Sequence, residues 1–183
     1  VITFSSAPDY ETKTSFTSTV TATDGLNSST QDITIAVNNL NDNYPELVSA
    51  AYFEVDENQT SIGTISATDA DGDTLTYAIS GSESSGINID PDSGVLTFVD
   101  APDYETKTSY SFDLTVSDAP GRTVGFLVQI KLNNLNDNSP IFSSDETFSI
   151  AENESSIGTA SATDADTGLS LIHISEPTRP SQI

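Results

Sequence analysis

Apolar and polar residues alternate along most of this chain. In Asp32-Ile-Thr-Ile-Ala-Val37 and Gly125-Phe-Leu-Val-Gln-Ile-Lys-Leu132, apolar side chains recur at every second position. That period collects them on one face of an extended segment and predicts a strand with one buried side. The same reading predicts strands over Tyr52–Asp56, Ile62–Thr68, Leu75–Ser80, Ile87–Ile89, Val95–Val99, Tyr110–Ser117 and Thr123–Leu132. Pro91-Asp-Ser-Gly94 is a strong turn signal between two of them. Seven short strands in about 95 residues fit an all-β Greek-key sandwich of immunoglobulin-like size.

The pattern is written more than once. Glu57-Asn-Gln-Thr-Ser-Ile-Gly-Thr64 returns as Glu152-Asn-Glu-Ser-Ser-Ile-Gly-Thr159, and Ala67-Thr-Asp-Ala-Asp71 as Ala162-Thr-Asp-Ala-Asp166, both 95 positions on. Ala7-Pro-Asp-Tyr-Glu-Thr-Lys-Thr-Ser15 returns as Ala101 to Ser109 after 94, the difference falling in the loop after Asp118. Constant strand spacing with drifting loop length marks tandem domains. Between them lie Asn39-Leu-Asn-Asp-Asn-Tyr-Pro45 and Asn134-Leu-Asn-Asp-Asn-Ser-Pro140, two oxygen-rich joints whose prolines end pairing and stiffen the exit. The expected organisation is tandem seven-stranded sandwiches, one complete over 44–138 and two partial over 1–43 and 139–168. Only the middle copy has enough strands to close a core.

The last stretch breaks the repeat. Where a counterpart of Gly72-Asp-Thr-Leu-Thr-Tyr77 is due, Leu169-Ser-Leu-Ile-His-Ile-Ser-Glu-Pro-Thr-Arg179 stands instead. This run resembles the conceptual translation of a transposon-end sequencing adapter. Residues 169–183, with Pro177 and Pro180, are therefore expected to be an artefactual, disordered tail.

Composition narrows the partners. With 28 acidic against 5 basic residues and a formal charge of −23, cations suit this surface and nucleic acid does not. No cysteine is present, which excludes disulfides and thiolate metal sites. No run of about 18 apolar residues predicts a membrane span. No leader is visible, but the chain begins inside a predicted domain, so nothing follows from that.

The motifs taken together resemble tandem cadherin repeats, over everything up to about residue 168. The resemblance rests on Glu57-Asn58, Asp69-Ala-Asp71, Asp103-Tyr-Glu105, Asp118 after the sixth strand, and the Asn-x-Asn-Asp-Asn-x-Pro joint. It implies cadherin-type sandwiches with calcium ions between successive domains. The first joint would then draw on Asp9 and Glu11 upstream, on Asn39, Asn41, Asp42 and Asn43 of the linker, and on Asp69, Asp71 and Asp118 downstream. The second would use Glu57, Asp103 and Glu105, then Asn134, Asn136, Asp137 and Asn138, then Asp164 and Asp166. Asn41 and Asn136 would offer backbone carbonyls. The family pattern opens its joint with Asp, whereas Asn39 and Asn134 stand here, so each joint loses one negative charge.

The chemistry agrees with that implication. Calcium takes six to eight oxygens at roughly 2.3–2.6 Å. In an extended segment Asp-x-Asp and Asp-x-Glu point both carboxylates to one side. Carboxylates about 4 Å apart repel by about 4 kcal/mol per pair at an effective dielectric of 20, which a cation would neutralise.

Other readings are weaker. Asp69-Ala-Asp-Gly-Asp73 begins like an EF-hand, but Thr74 and Ser80 occupy the positions that need Gly and Glu. Asn27, Asn58 and Asn153 open glycosylation sequons, meaningful only in a secretory pathway. No hydrolytic triad is credible, since the only histidine, His173, lies in the anomalous tail. The expected function is thus non-enzymatic. It is that of an extracellular or cell-surface adhesion or stalk segment, with calcium and neighbouring repeats as partners and another surface protein or a polysaccharide as a further one. Strand exchange through a terminal Trp is unsupported, because the chain has none. The alternative is a carbohydrate-binding or spacer sandwich array attached to a secreted enzyme, against which the lack of Trp also counts.

Overall fold

The computed structural model describes residues 1–119 and 121–166. The expectations for 169–183 lie outside them. In the middle copy the strands are β3 (Glu46–Leu47), β4 (Tyr52–Asp56), β5 (Ser61–Thr64), β6 (Ala67–Thr68), β7 (Leu75–Ser80), β8 (Ile87–Ile89), β9 (Val95–Phe98), β10 (Ser109–Asp118) and β11 (Thr123–Asn133). One sheet runs β4-β11-β10-β7 and the facing sheet β5-β9-β8. All pairs are antiparallel except β4 with β11, so the first strand crosses from one sheet to the other, and the sandwich is a Greek key.

Alternation decides what is buried. On β10 the side chains of Phe112, Leu114 and Val116 turn inward, and on β11 those of Val128, Ile130 and Leu132. They face Ile65, Leu96 and Phe98 of the other sheet layer, and all belong to one cluster. Burying each such side chain stabilises by about 1.5–3 kcal/mol relative to leaving it in water. Among the described residues the buried apolar core is confined to Val55 through Leu132.

The predicted strand Ile62–Thr68 is broken in two. Ile65 N–H donates to Gly94 O at 2.9 Å, while Ser66 O accepts from Val48 and Ser49. β6 therefore pairs with the short β3, a two-residue strand that alternation could not reveal. Gly94 has φ +70, and a Cβ there would meet Ile65 O at 2.2 Å, so this crossing requires glycine.

The flanking copies repeat pieces of this plan. β1 (Ser15–Thr23) and β2 (Ser28–Ala36) form an antiparallel hairpin. β12 (Ile141–Phe142) pairs with β13 (Ala162–Thr163) as β3 does with β6, 95 positions on. Asn58 and Asn153 share a left-handed backbone, with φ 64 and 71, a region asparagine tolerates.

Candidate metal centres at the two joints

Each joint places an amide-rich linker against carboxylates of the sandwich. At the first, Asp71 Oδ2 accepts from Asn43 N at 2.9 Å and Asp42 N at 3.1 Å, while Oδ1 accepts from Asn43 Nδ2 at 3.2 Å. Asn39 Nδ2 donates to Asp71 O at 2.8 Å. The linker is thus folded around one carboxylate. Glu11, from upstream, completes a group with Asp42 and Asp71 whose carboxylate oxygens all lie within 4.8 Å of one another.

A second group forms on the downstream side. Asp69, Asp71 and Asp73 bring carboxylate oxygens within the same 4.8 Å. Asn41 Nδ2 donates at 2.9 Å to both Asp73 Oδ2 and Asp118 Oδ2. Asp118 is only 4% exposed, and its Oδ1 accepts from Gly121 N at 2.7 Å and Arg122 N at 2.8 Å. With both amide hydrogens committed, Asn41 Oδ1 is left buried without a partner, and so is Asp69 Oδ2. An unmet buried acceptor costs about 1–3 kcal/mol. Two of them beside four carboxylates fit a cation, and the donors, all oxygen, fit a hard one such as calcium.

The second joint reproduces the first. Asn138 N donates to Asp166 Oδ2 at 2.7 Å, and its Nδ2 to Asp166 Oδ1 at 3.1 Å and Asp137 Oδ1 at 2.9 Å. Glu57, 2% exposed, accepts from Tyr104 N at 2.6 Å and Leu135 N at 2.7 Å, tying the linker to the upstream sandwich. Glu57, Glu105 and Asp137 form the carboxylate group here. Asn58 Nδ2 bonds Asp137, and Asn134 Nδ2 donates to Glu105 Oε1 at 3.0 Å.

Charge crowding and burial shift these groups from their ordinary values. Burial and the facing Asp69, Asp118 and Asp71 push Asp73 up. Burial, with the Glu57 charge, raises Glu105 against the pull of its own backbone amide. Glu11's own amide works to lower it, but burial and the Asp9 and Asp71 carboxylates outweigh that and hold it above the ordinary value. Burial would raise Asp71, Asp118 and Asp166 too; the linker and loop amides bonded to them prevail and keep all three low.

One expectation changes: neither Asp-x-Asp nor Asp-x-Glu is extended. Asp69 Oδ1 caps Asp71 N at 2.9 Å, Asp164 Oδ1 caps Asp166 N at 2.9 Å, and both segments turn. Asp9 and Asp103 likewise cap their own loops, accepting from Glu11 N with Thr12 Oγ1 and from Glu105 N with Thr106 Oγ1. They cap the loops that carry the glutamates and are not members of the described three-carboxylate groups. The Asn41 carbonyl accepts from Arg122 Nε at 3.1 Å, while its side-chain Oδ1 has no hydrogen-bond partner. Asn136, its counterpart, is exposed.

Asp73, Arg122 and Tyr44 were missed. Asp73 was legible as the third alternate acid of Asp69-Ala-Asp-Gly-Asp73. The Arg122 guanidinium, 4.8 Å over the Tyr44 ring, had no sequence signal.

One closed sandwich flanked by pieces of the same plan, with acidic side chains converging on each short linker, defines a β-repeat protein with charged joints. Comparison gives the family. Residues 51–133 match the cadherin domain family. The chain is 32% identical over 172 residues to human protocadherin Fat 1, covering 88% of this chain and 4% of that protein. It is 33% identical over 181 residues to mouse cadherin EGF LAG seven-pass G-type receptor 1, covering 92% and 6%. A solved structure of the protocadherin gammaB7 EC3-6 cis-dimer superposes with a TM-score of 0.76 at 28% identity, over 89% of this chain and 45% of that one. Mouse cadherin-23 EC22-24 does so with a TM-score of 0.63 at 28% identity, over 89% and 57%. This chain is a segment of tandem cadherin repeats. It spans only 4–6% of the length of the two curated relatives.

Proposed function

We infer that the chain is a calcium-binding, non-catalytic adhesion or stalk segment in which calcium at the joints holds successive repeats at a set angle. The observation that carries this reading is the pair of buried, unpartnered oxygens, Asn41 Oδ1 and Asp69 Oδ2, among converging carboxylates. Calcium would supply positive charge and oxygen coordination shared between upstream repeat, linker and downstream repeat. Glu11, Asp42, Asp69, Asp71, Asp118 and Asn41 would hold it at the first joint, and Glu57, Glu105, Asp137 and Asp166 at the second. The repeats divide at 1–43, 44–138 and 139–168, with 169–183 outside them. The segment lies outside the cell or on its surface, as do its relatives. Its partners are calcium, the adjoining repeats and, through the whole parent protein, another cell-surface molecule.

Small-angle scattering on a protein with two complete repeats tests this reading. Millimolar calcium should lengthen and stiffen the particle relative to chelator, since extracellular modules bind at roughly 10⁻⁴–10⁻³ M. Superimposable curves would refute it in favour of a metal-independent array.

A further inference from the structure

We propose that Asp73 is a cation ligand of the first joint, a carboxylate that the repeat motif does not include and that replaces the charge missing at Asn39. The proposal rests on the calcium reading above and assigns a residue to it. Gly72, with φ +79, turns the chain sharply after Asp71, and Gly72 N closes the turn on Asp69 O at 3.3 Å. The turn brings the Asp73 carboxylate back against Asp69 and Asp71, all three within 4.8 Å. Its Oδ2 receives the same amide group that holds Asp118, 2.9 Å from Asn41 Nδ2.

A structural role alone does not explain this placement. Asp73 and Asp118 share the one Asn41 amide, and the nearby acceptors Asp69 Oδ2 and Asn41 Oδ1 go without a hydrogen. Like charges are gathered beside acceptors without a hydrogen, an arrangement that suits oxygen ligation of a cation. Asn39 carries no charge and spends its amide on the Asp71 carbonyl, 2.8 Å away. The linker's deficit is therefore met from the downstream repeat. Asn41, Asp69, Asp71, Asp73 and Asp118 all belong to the linker or the middle repeat, so this position needs nothing from Glu11 upstream.

Calcium titration calorimetry on the full chain tests the assignment, comparing wild type with Asp73→Asn, Asp71→Ala and the remote turn variant Asp92→Asn. Asp73→Asn should weaken one class of ion about tenfold, as affinity follows ligand charge count, and leave the other unchanged. Thermal midpoints separate ligation from scaffolding. In chelator, Asp73→Asn should melt at or above wild type, because a repelled charge has gone; in calcium it should melt below. An Asp73→Asn isotherm matching wild type while Asp71→Ala loses binding would overturn the role of Asp73 and leave the joint reading standing. An equal fall in midpoint with and without calcium would also overturn it, as the mark of a scaffold residue. A wild-type chain that binds no calcium would overturn both.

Discussion

The two joints are built to one plan but display different halves of it. Around the second, the upstream side is whole. Glu57 is sealed beneath the linker and takes the amides of Tyr104 and Leu135, while Glu105 faces it across the group. Around the first, the downstream side is whole, with Asp69, Asp71 and Asp73 grouped together and Asn41 bonding both Asp73 and Asp118. The common centre is the aspartate clasped by the last linker asparagine, Asp71 with Asn43 and Asp166 with Asn138. A shift of 95 residues carries one into the other. The second linker is anchored upstream by the buried Glu57, and both linkers are anchored downstream by an aspartate, Asp71 or Asp166. The upstream anchor is satisfied by backbone amides alone, whereas the downstream side leaves acceptors empty.

That difference predicts separate behaviours. Glu57→Ala should cost about 3 kcal/mol, because it strands two N–H groups that a charged acceptor now satisfies. Urea unfolding should show that loss in chelator and a larger one in calcium, because Glu57 also belongs to the carboxylate group of the second joint. A loss seen only with calcium would mean that Glu57 acts through an ion alone and does not anchor the linker.

Asp71→Ala and Asp166→Ala should each remove part of the calcium-dependent stabilisation, beside a smaller loss in chelator from the linker hydrogen bonds they accept. A ligand at 100-fold its Kd stabilises by about 2.7 kcal/mol, so the calcium increment in unfolding free energy should fall by about that much at the affected joint. If Asp71→Ala abolished the whole increment, the two joints would be coupled rather than parallel.

Asn39→Asp and Asn134→Asp restore the linker charge. The gain in calcium affinity by calorimetry should be larger at the second joint, roughly tenfold, since Asp73 already compensates at the first. Equal gains would erase that distinction.

The smallest effect is with pH, in chelator. Glu11, Glu105 and Asp73 have raised folded values, so their protonation favours the fold. Their contribution grows as pH falls through those raised values and is complete below the ordinary 4.5 of glutamate and 3.8 of aspartate. Asp71, Asp118 and Asp166 are lowered, so their contribution is present above 3.8 and is lost as pH falls through their folded values. The thermal midpoint should therefore rise slightly on mild acidification and drop on stronger acidification. Calcium should abolish the rise, because it competes with those protons.

Strand alternation is a local property, and it was legible. The predicted Tyr52–Asp56, Leu75–Ser80 and Ile87–Ile89 coincide with β4, β7 and β8. The repeat, the acid count and the Asn-x-Asn-Asp-Asn joints pointed to the family and to oxygen ligation before any coordinates. Tertiary closure decided the rest. β3 and β6 exist only because they find each other, and the predicted strand between Ile62 and Thr68 breaks where Ile65 turns to Gly94. Asn41 meets Asp118 across 77 positions and Arg122 across 81. No period of two or of 95 encodes those meetings, because they depend on where two packed sheets bring their loops. That Asn41 Oδ1 is left without a donor follows from how its two amide hydrogens are spent in the folded joint. Sequence could name the acids; only the fold could say which already have a hydrogen to accept.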